Sequence, residues 1–196
     1  MKYELTDDFI EVEVNDKRVK LYKIKALVDI PAGDVKVGDL GGYIEKESNL
    51  SHSGNAWVYG DAMVSGDARV SGDASVSGNA RVYGDARVSG NASVSGNALV
   101  YGNARVSGDA WVYGDAMVSG NALVRKKSDL VWFSNVGTEN GTLTVYKAKD
   151  GSLLATRGCF SGSVEDFLKK STEVHDEKTK REYQLLIEVA RSRLEI

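Results

Sequence analysis

The sequence has little cysteine, proline or histidine. Its 196 residues include one cysteine, one proline and two histidines. A lone cysteine, Cys159, cannot form a disulfide within the chain, which agrees with a reducing cytoplasm. Two histidines, His52 and His175, are too few for a three-histidine zinc site. We therefore expect neither a metal site nor a bound cofactor.

Long apolar runs and an excess of one charge are also absent. No stretch of about 18 apolar residues exists, and the N-terminal residues MKYELTDDFIEVEV carry acids where a signal peptide would be apolar. The formal net charge is -3, so we do not expect nucleic acid to bind through an overall basic surface. These features predict a cytoplasmic protein with no membrane segment.

Glycine, by contrast, is abundant and regularly placed. The chain has 21 glycines, and from Gly54 to Arg125 it repeats Gly-[Asn/Asp]-Ala-x-Val-y twelve times without a break. Ala and Val, one residue apart, point to the same side of a short strand, while x and y point outward. The Gly-Asn or Gly-Asp pair suits a tight corner, because these residues tolerate positive φ. A six-residue period of this kind predicts a parallel β-helix.

These hexapeptides resemble those of the left-handed β-helix of the hexapeptide-repeat superfamily. The resemblance implies the left-handed sense and a triangular coil of three hexads, so that twelve hexads make four coils. Periodicity alone would not give that sense, since right-handed crossovers are the general rule. The alanines and valines would fill a narrow core with no room for an internal ligand. We therefore expect any functional surface to lie outside the coils.

The repeat divides the chain into three parts. We expect residues 1–53 to form an N-terminal β cap with a degenerate first coil, residues 54–125 the β-helix, and residues 126–196 a C-terminal β-hairpin followed by two helices. The predicted fold class is mainly β, with α+β character at the C-terminal end. Such caps are needed because a terminal repeat would otherwise expose its core.

The N-terminal part contains two stretches of alternating apolar and polar residues, 9–14 and 19–27, separated by Asn15-Asp16. This pattern predicts a β-hairpin. Further on, Ile44 and Leu50 are six residues apart and keep the period of the repeat. We expect them to form the degenerate first coil.

The C-terminal part begins with Leu130, which is in phase with Val124 as the repeat ends. Residues 142–148 and 152–156 then predict a hairpin. Ser163 is a candidate N-cap for a helix that ends near Ser171. A last helix is expected from about Glu177, with one apolar face made of Tyr183, Leu186, Ile187, Ala190 and Leu194.

Because three hexads make a coil, every third hexad falls on the same outer face. The first face carries, coil by coil, Trp57 and Tyr59, Ser75 and Ser77, Ser93 and Ser95, and Trp111 and Tyr113. We call the two outward residues that one coil places on a face a rung. On this face, an aromatic rung lies at each end and two serine rungs lie between them. This order predicts a trough in which rings stack on a planar ligand and hydroxyls bind it. The alternative is that the end rungs pack against the terminal segments or another subunit.

The second face carries Met63 and Ser65, Arg81 and Tyr83, Leu99 and Tyr101, and Met117 and Ser119. An exposed column with this much apolar surface is typical of a subunit interface. We expect the contact to be made by Met63, Tyr83, Leu99, Tyr101 and Met117. The resemblance to the superfamily favours a homotrimer.

The third face carries Arg69 and Ser71, Arg87 and Ser89, Arg105 and Ser107, and Leu123 and Arg125. We name Arg69, Arg87 and Arg105 the arginine ladder. Together with Ser71, Ser89 and Ser107 it is a candidate site for an anion, because a guanidinium group binds carboxylate or phosphate with two parallel hydrogen bonds. The ladder also fits a contact with another protein, or a face that is merely solvated.

Cys159 and His175 suggest a nucleophile and a base, since Cys159 precedes a helix start. Neither lies in an activating motif: Cys159 is in a predicted packed strand end and His175 in a charged turn. We expect no catalytic residue in the chain.

Over its whole length, including GDLGGYIEKESNLS, the GNA-x-VYG repeats and GCFSGSVEDF, the chain resembles small proteins of bacteriophages and prophages that often carry a transferase label. That label rests on the repeat alone. Our first hypothesis is a noncatalytic accessory protein that binds a host protein or a small, nucleotide-like anion, for example in counter-defence. The alternatives are an acyltransferase and a structural part of a virion. The acyltransferases of the superfamily usually place a histidine near a loop inserted between coils, and this repeat has neither.

Overall fold

A computed structural model describes residues 1–14 and 17–194 of the chain. Strands β1 (Tyr3–Val14) and β2 (Lys17–Ala26) pair antiparallel, with Val12 beside Val19. Their pairing confirms the two strands of the predicted hairpin. The predicted turn at Asn15-Asp16 lies outside the described residues.

A degenerate first coil connects the hairpin to the repeat. It contains a 3₁₀ turn (Pro31–Gly33), strand β3 (Leu40–Ile44) and a second 3₁₀ turn (Glu47–Asn49). Ile44 lies beside Val64, and Leu50 forms a parallel bridge with Val70. Both side chains are at most 1% exposed, so the predicted coil over the open end is confirmed.

The repeat itself forms twelve two-residue strands, each made of the x and Val positions of one hexad. In chain order they are β4 (Trp57–Val58), β5 (Met63–Val64), β6 (Arg69–Val70), β7 (Ser75–Val76), β8 (Arg81–Val82), β9 (Arg87–Val88), β10 (Ser93–Val94), β11 (Leu99–Val100), β12 (Arg105–Val106), β13 (Trp111–Val112), β14 (Met117–Val118) and β15 (Leu123–Val124). Every third strand pairs in parallel, which gives the sheets β4-β7-β10-β13, β5-β8-β11-β14 and β6-β9-β12-β15. The second sheet continues through β3 and β2 to β1. With the first coil, the β-helix has about 5 turns.

The interior of the β-helix contains the predicted Ala and Val positions. All of these side chains are at most 2% exposed and belong to one continuous apolar cluster. Small side chains on every inward position allow the three sheets to approach closely, so the inside is packed. The outer faces are therefore the surface that the β-helix offers to other molecules.

The corners depend on glycine for two reasons. All twelve corner glycines have φ between +59° and +73°, a region that other L-residues adopt at a cost. At Gly72, moreover, a Cβ would lie 2.9 Å from the backbone nitrogen of Gly90 in the next coil. The positive φ is confined to the glycine, and the Asn or Asp that follows has another role.

That role is to hydrogen-bond between coils. The Asn97 side-chain amide accepts from Asn79 at 3.1 Å and donates to the Asp115 carboxylate at 2.9 Å. Asn91 donates to Asp109 at 3.0 Å in another column. An amide thus stands above the acid it donates to, which separates like charges along these columns.

Asp67 and Asp85 are the one vertical pair of acids among the corner residues. The Lys46 ammonium group lies 2.8 Å from the Asp67 carboxylate. This hydrogen bond and the charge of Lys46 lower the pKa of Asp67. The first coil therefore neutralises one of the two adjacent acids in this column.

Side chains of the N-terminal part also close the open end of the β-helix. The buried ammonium group of Lys2 donates to the carbonyl oxygens of Ala56 at 2.7 Å and Gly54 at 3.3 Å. The Asn49 amide, fully buried, donates to the carbonyls of Gly66 and Ala68 at 3.0 and 2.8 Å. These carbonyls have no further strand to pair with, so the side chains satisfy acceptors that would otherwise be buried without a donor.

The C-terminal part differs from the predicted hairpin. It is a four-stranded antiparallel sheet made of β16 (Leu130–Val136), β17 (Gly141–Lys147), β18 (Leu153–Arg157) and β19 (Phe160–Ser163). The middle strands are the predicted pair. The sequence did not predict the flanking strands β16 and β19. Leu130, the first residue of β16, keeps the phase of the repeat and was assigned to it, and the short sequence FSGS of β19 has a weak strand pattern.

The described part of the chain ends with two helices, α1 (Val164–Val174) and α2 (Glu177–Leu194). Ser163 caps α1 as predicted, because its hydroxyl accepts from the Asp166 N–H at 3.0 Å. The predicted apolar face of α2 packs on the sheet through Tyr183, Ile187, Ala190 and Leu194. Neither helix is long and apolar enough to cross a membrane.

The C-terminal sheet covers the other end of the β-helix. At strand β14, the Met117 N–H donates to the Thr144 hydroxyl at 3.1 Å, and the Met117 carbonyl accepts from the Thr156 hydroxyl at 2.6 Å. The Ser119 N–H donates to the Tyr146 hydroxyl at 3.1 Å. Side chains thus replace the missing next coil at both ends.

Candidate functional site

On the first face, the four rungs lie in register in the predicted order, but the N-terminal cap fills one end of the trough. Trp57 is 1% exposed and lies edge-on against the Tyr3 ring at 6.2 Å. The Tyr59 hydroxyl packs against Gly33, where no side chain would fit, and burial raises the pKa of Tyr59. A ligand entering from solvent would therefore not reach the Trp57 ring.

The other end of the first face stays open. Trp111 and Tyr113 are 47% and 46% exposed, and they line a recess of about 330 Å³ together with Ser77, Ser93 and Ser95. The Lys127 ammonium group lies 3.5 Å from the centre of the Trp111 ring. The sequence pattern did not reveal this lysine, because it lies beyond the repeat.

The second face is covered in part by the chain itself. Met63, Tyr83 and Leu99 line a cavity of about 260 Å³ whose other wall includes Val12 and Leu21 of the N-terminal hairpin. The far end, at Met117 and Ser119, is covered by the C-terminal sheet through the hydrogen bonds given above.

The middle of the second face contains the two tyrosines of the predicted interface. The rings of Tyr83 and Tyr101 stack with their centres 5.1 Å apart and an angle of 5° between their planes. Burial and the neighbouring Tyr101 raise the pKa of Tyr83. The apolar column that is open to a second subunit is thus reduced to its central rungs.

The third face is the most accessible of the three. Arg69, Arg87 and Arg105 lie side by side on neighbouring parallel strands, and all three are exposed. A neighbouring column contains Ser71, Ser89 and Ser107, each two residues after its arginine, and all three are half-buried. Within residues 1–14 and 17–194, the three guanidinium groups make no ion pair and no hydrogen bond. The ladder is therefore a row of cations facing solvent.

The C-terminal part extends the cationic surface. Arg105, Arg125 and Lys149 line a recess of about 330 Å³ with Asn103, Asn121, Ala122 and Leu123, and no acid is among these lining residues. Lys149 is held there by a hydrogen bond of 3.0 Å from its N–H to the Asn121 carbonyl. Sequence reasoning missed Lys149 because it lies in the β17–β18 turn, far from the repeat.

Cys159 and His175 line one cavity, which their separation in sequence did not indicate. Contrary to the prediction of a packed strand end, Cys159 is exposed. It lies at the tip of the two-residue turn between Arg157 and Phe160. No hydrogen bond joins Cys159 to His175 in the part of the chain that the structure describes. The same part contains no cluster of three or more His, Cys, Asp or Glu side chains that would hold a metal ion.

The chain is a β-helix repeat protein, as the parallel sheets and the packed interior define. A sequence-family model described as the YdcK Beta solenoid repeat matches it in overlapping segments, at residues 56–72, 64–78, 74–90, 80–96, 92–108, 98–114 and 110–125. The similarity thus covers the repeat and neither end. No curated protein matches the chain in sequence.

Proposed function

We propose that the chain is a noncatalytic binding protein and that its third face binds acidic side chains of a partner protein. The observation that carries this proposal is the arginine ladder. Its three guanidinium groups are in register and exposed, and they make no ion pair with the described residues.

The close spacing of the three arginines in the ladder favours an anionic partner. Neighbouring guanidinium groups about 4.8 Å apart repel by about 1 kcal/mol in water, and the repulsion grows when a partner excludes solvent. Carboxylates placed between neighbouring arginines would remove this repulsion, and each guanidinium group could donate two hydrogen bonds to them. Ser71, Ser89 and Ser107 add hydroxyl donors in the neighbouring column.

The shape of the face favours a protein over a small ligand. Sites for small molecules are concave and enclose most of the ligand, whereas the ladder stands on the outside of a sheet. A recess of about 530 Å³ beside Arg69 and Arg87 is lined by Glu47 as well, so its lining carries less positive charge than the ladder itself. An acidic protein surface can contact all three rungs at once, and the cations would speed its association.

The resemblance to proteins of bacteriophages and prophages indicates the biological context in which such a protein would act. In that setting the partner is a protein of the bacterial host, and binding serves an accessory role such as counter-defence. A partner from the host cytoplasm would meet the protein in the compartment that its single cysteine favours.

Two defined probes test the third face, an oligoglutamate peptide and ATP. Calorimetric titration at low and physiological salt measures the affinity of each for the wild type, Arg87→Glu and Arg81→Glu. Arg81 is the matched control, because it is an exposed arginine in the same position of a hexad on the second face. We expect oligoglutamate to bind the wild type and Arg81→Glu, and to bind Arg87→Glu at least tenfold more weakly.

Affinity capture from bacterial lysate with the same variants extends the test to natural partners. Proteins that are retained by the wild type and Arg81→Glu and lost with Arg87→Glu would support the proposal. Tight binding of ATP without oligoglutamate would replace it with a small anionic ligand. Equal binding of every probe and protein by all variants would contradict any role of the ladder.

A further inference from the structure

The C-terminal part contains a cavity of about 340 Å³ that the proposed function does not use. It lies between the β18–β19 turn, the β16–β17 turn and helix α1. Its lining includes Arg157, Phe160, Phe167, Lys170, Ser171 and His175. The volume falls within the range of sites that bind small molecules.

Two residues that line this cavity each have a buried polar atom without a partner. The Nε atom of Arg157 and the hydroxyl of Ser171 make no hydrogen bond with any described residue. Ser171 is 3% exposed, and its hydroxyl does not bond back to the preceding turn of α1, as helical serines often do. Buried polar groups nearly always have partners, so two at one cavity indicate that an acceptor belongs there.

The surroundings hold the Arg157 guanidinium in place. Its Nη2 atom donates to the Val136 carbonyl at 3.0 Å, and Gly141 leaves the room that the group occupies, since a Cβ at 141 would clash with it. The nearest carboxylate, that of Glu139, lies 3.9 Å from Nη1 and is 84% exposed. Such a long and exposed ion pair contributes little, so the charge of Arg157 is available to another anion.

Aromatic rings form one wall of the cavity. Phe167 contacts Phe160 and Tyr183 with ring centres 5.4 and 5.0 Å apart, and His175 contacts Tyr183 at 5.4 Å. The Lys170 ammonium group lies 5.7 Å from the centre of the Phe160 ring. The site therefore has an apolar wall at one side and cationic groups at the other. Its two cations, Arg157 and Lys170, and its one anion, Glu139, give a net charge of +1.

We propose that this cavity binds a small aromatic carboxylate. The carboxylate oxygens accept from the Arg157 Nε–H and the Ser171 hydroxyl, Lys170 faces the same charge, and the ring of the ligand packs against Phe160 and Phe167. The single net charge matches a monoanion better than a phosphate ester, which would need donors for a third oxygen. The site is independent of the arginine ladder.

Benzoate is the probe, with benzamide as its neutral isostere and acetate as the carboxylate without a ring. Binding is measured by calorimetry and by the shift of the thermal unfolding temperature. We expect benzoate to bind the wild type at least tenfold more tightly than either comparison compound. Failure of benzoate to bind, or equal binding of benzamide, would overturn the proposal.

Variants separate the site from a packing defect. Ser171→Ala removes a hydroxyl that has no partner, so the protein without ligand should unfold at the same or a higher temperature. Its affinity for benzoate should nevertheless fall at least tenfold, and unchanged affinity would overturn the proposal. Lys170→Ala should weaken binding several-fold. The neighbouring exposed Lys169→Ala is the control, and an equal loss in both lysine variants would mark a nonspecific charge effect and overturn the proposal.

Discussion

The Lys2 ammonium group donates a hydrogen bond of 2.7 Å to the carbonyl oxygen of Ala56, the first alanine of the repeat. Burial lowers the pKa of Lys2 from 10.5 to about 8, and the nearby Asp73 opposes this shift. Between these two pH values the unfolded chain binds more protons than the folded one. The contribution of Lys2 to the free energy of unfolding therefore rises with pH in this window.

Lys2→Met tests this relationship. The difference in free energy of unfolding between wild type and variant should move in favour of the wild type as the pH rises from about 8 to 10.5. Denaturant unfolding at several pH values measures it. Lys178→Met, which removes an exposed lysine, serves as the control. A difference that stays constant over the window would show that Lys2 is not buried as described.

Gly72→Ala and Gly60→Ala separate the two reasons for glycine at the corners. Both residues have positive φ, but a Cβ at Gly60 would meet no atom within 4 Å, whereas at Gly72 it meets the next coil. Gly60→Ala should cost about 1–2 kcal/mol of stability from backbone strain alone. Gly72→Ala should cost about 1–3 kcal/mol more from overpacking. Equal losses in denaturant unfolding would contradict the role assigned to close packing between coils.

The repeat could be predicted in detail because each hexad repeats one local arrangement. The Ala-x-Val spacing alone gives the strands, the buried positions and the columns, and register then follows, as Arg69 beside Arg87 shows. The left-handed sense came only from resemblance and stays a prediction. A local pattern could not predict how the ends of the β-helix are covered, because this depends on contacts between distant residues. Lys2, for example, lies more than 50 residues from its acceptors in the sequence.

The same reason limits prediction of the candidate sites. The arginine ladder lies within the period, so its column was visible in the sequence. The C-terminal cavity instead brings Arg157, Ser171 and Tyr183 together from a strand and two helices. Ser171 looked like the end of a helix, and nothing nearby indicates that its hydroxyl would be buried without a partner.

Asn97→Asp tests the side-chain hydrogen bonds between corners. The new carboxylate cannot donate to Asp115 and lies beside its charge, so we expect a loss of about 1 kcal/mol at neutral pH and low salt. The loss should shrink at pH 3, where the introduced acid is largely protonated. Asn121→Asp, at a corner whose neighbour in the column is Asn103, is the control and should cost less. If both variants lose the same stability, the amide bonds contribute nothing specific.

Thr144→Val tests the closure of the C-terminal end. The change keeps the shape of a fully buried side chain but removes the oxygen that accepts from the Met117 N–H. A buried N–H without an acceptor costs about 1–3 kcal/mol, so denaturant unfolding should show a loss of this size. Hydrogen exchange should quicken at the Met117 amide before it quickens in the inner coils, because the edge strand opens first. Thr138→Val, at an exposed threonine, controls for the substitution itself. An unchanged exchange rate at Met117 in Thr144→Val would mean that water or another group replaces the lost acceptor. The C-terminal sheet would then not exclude water from the edge of strand β14.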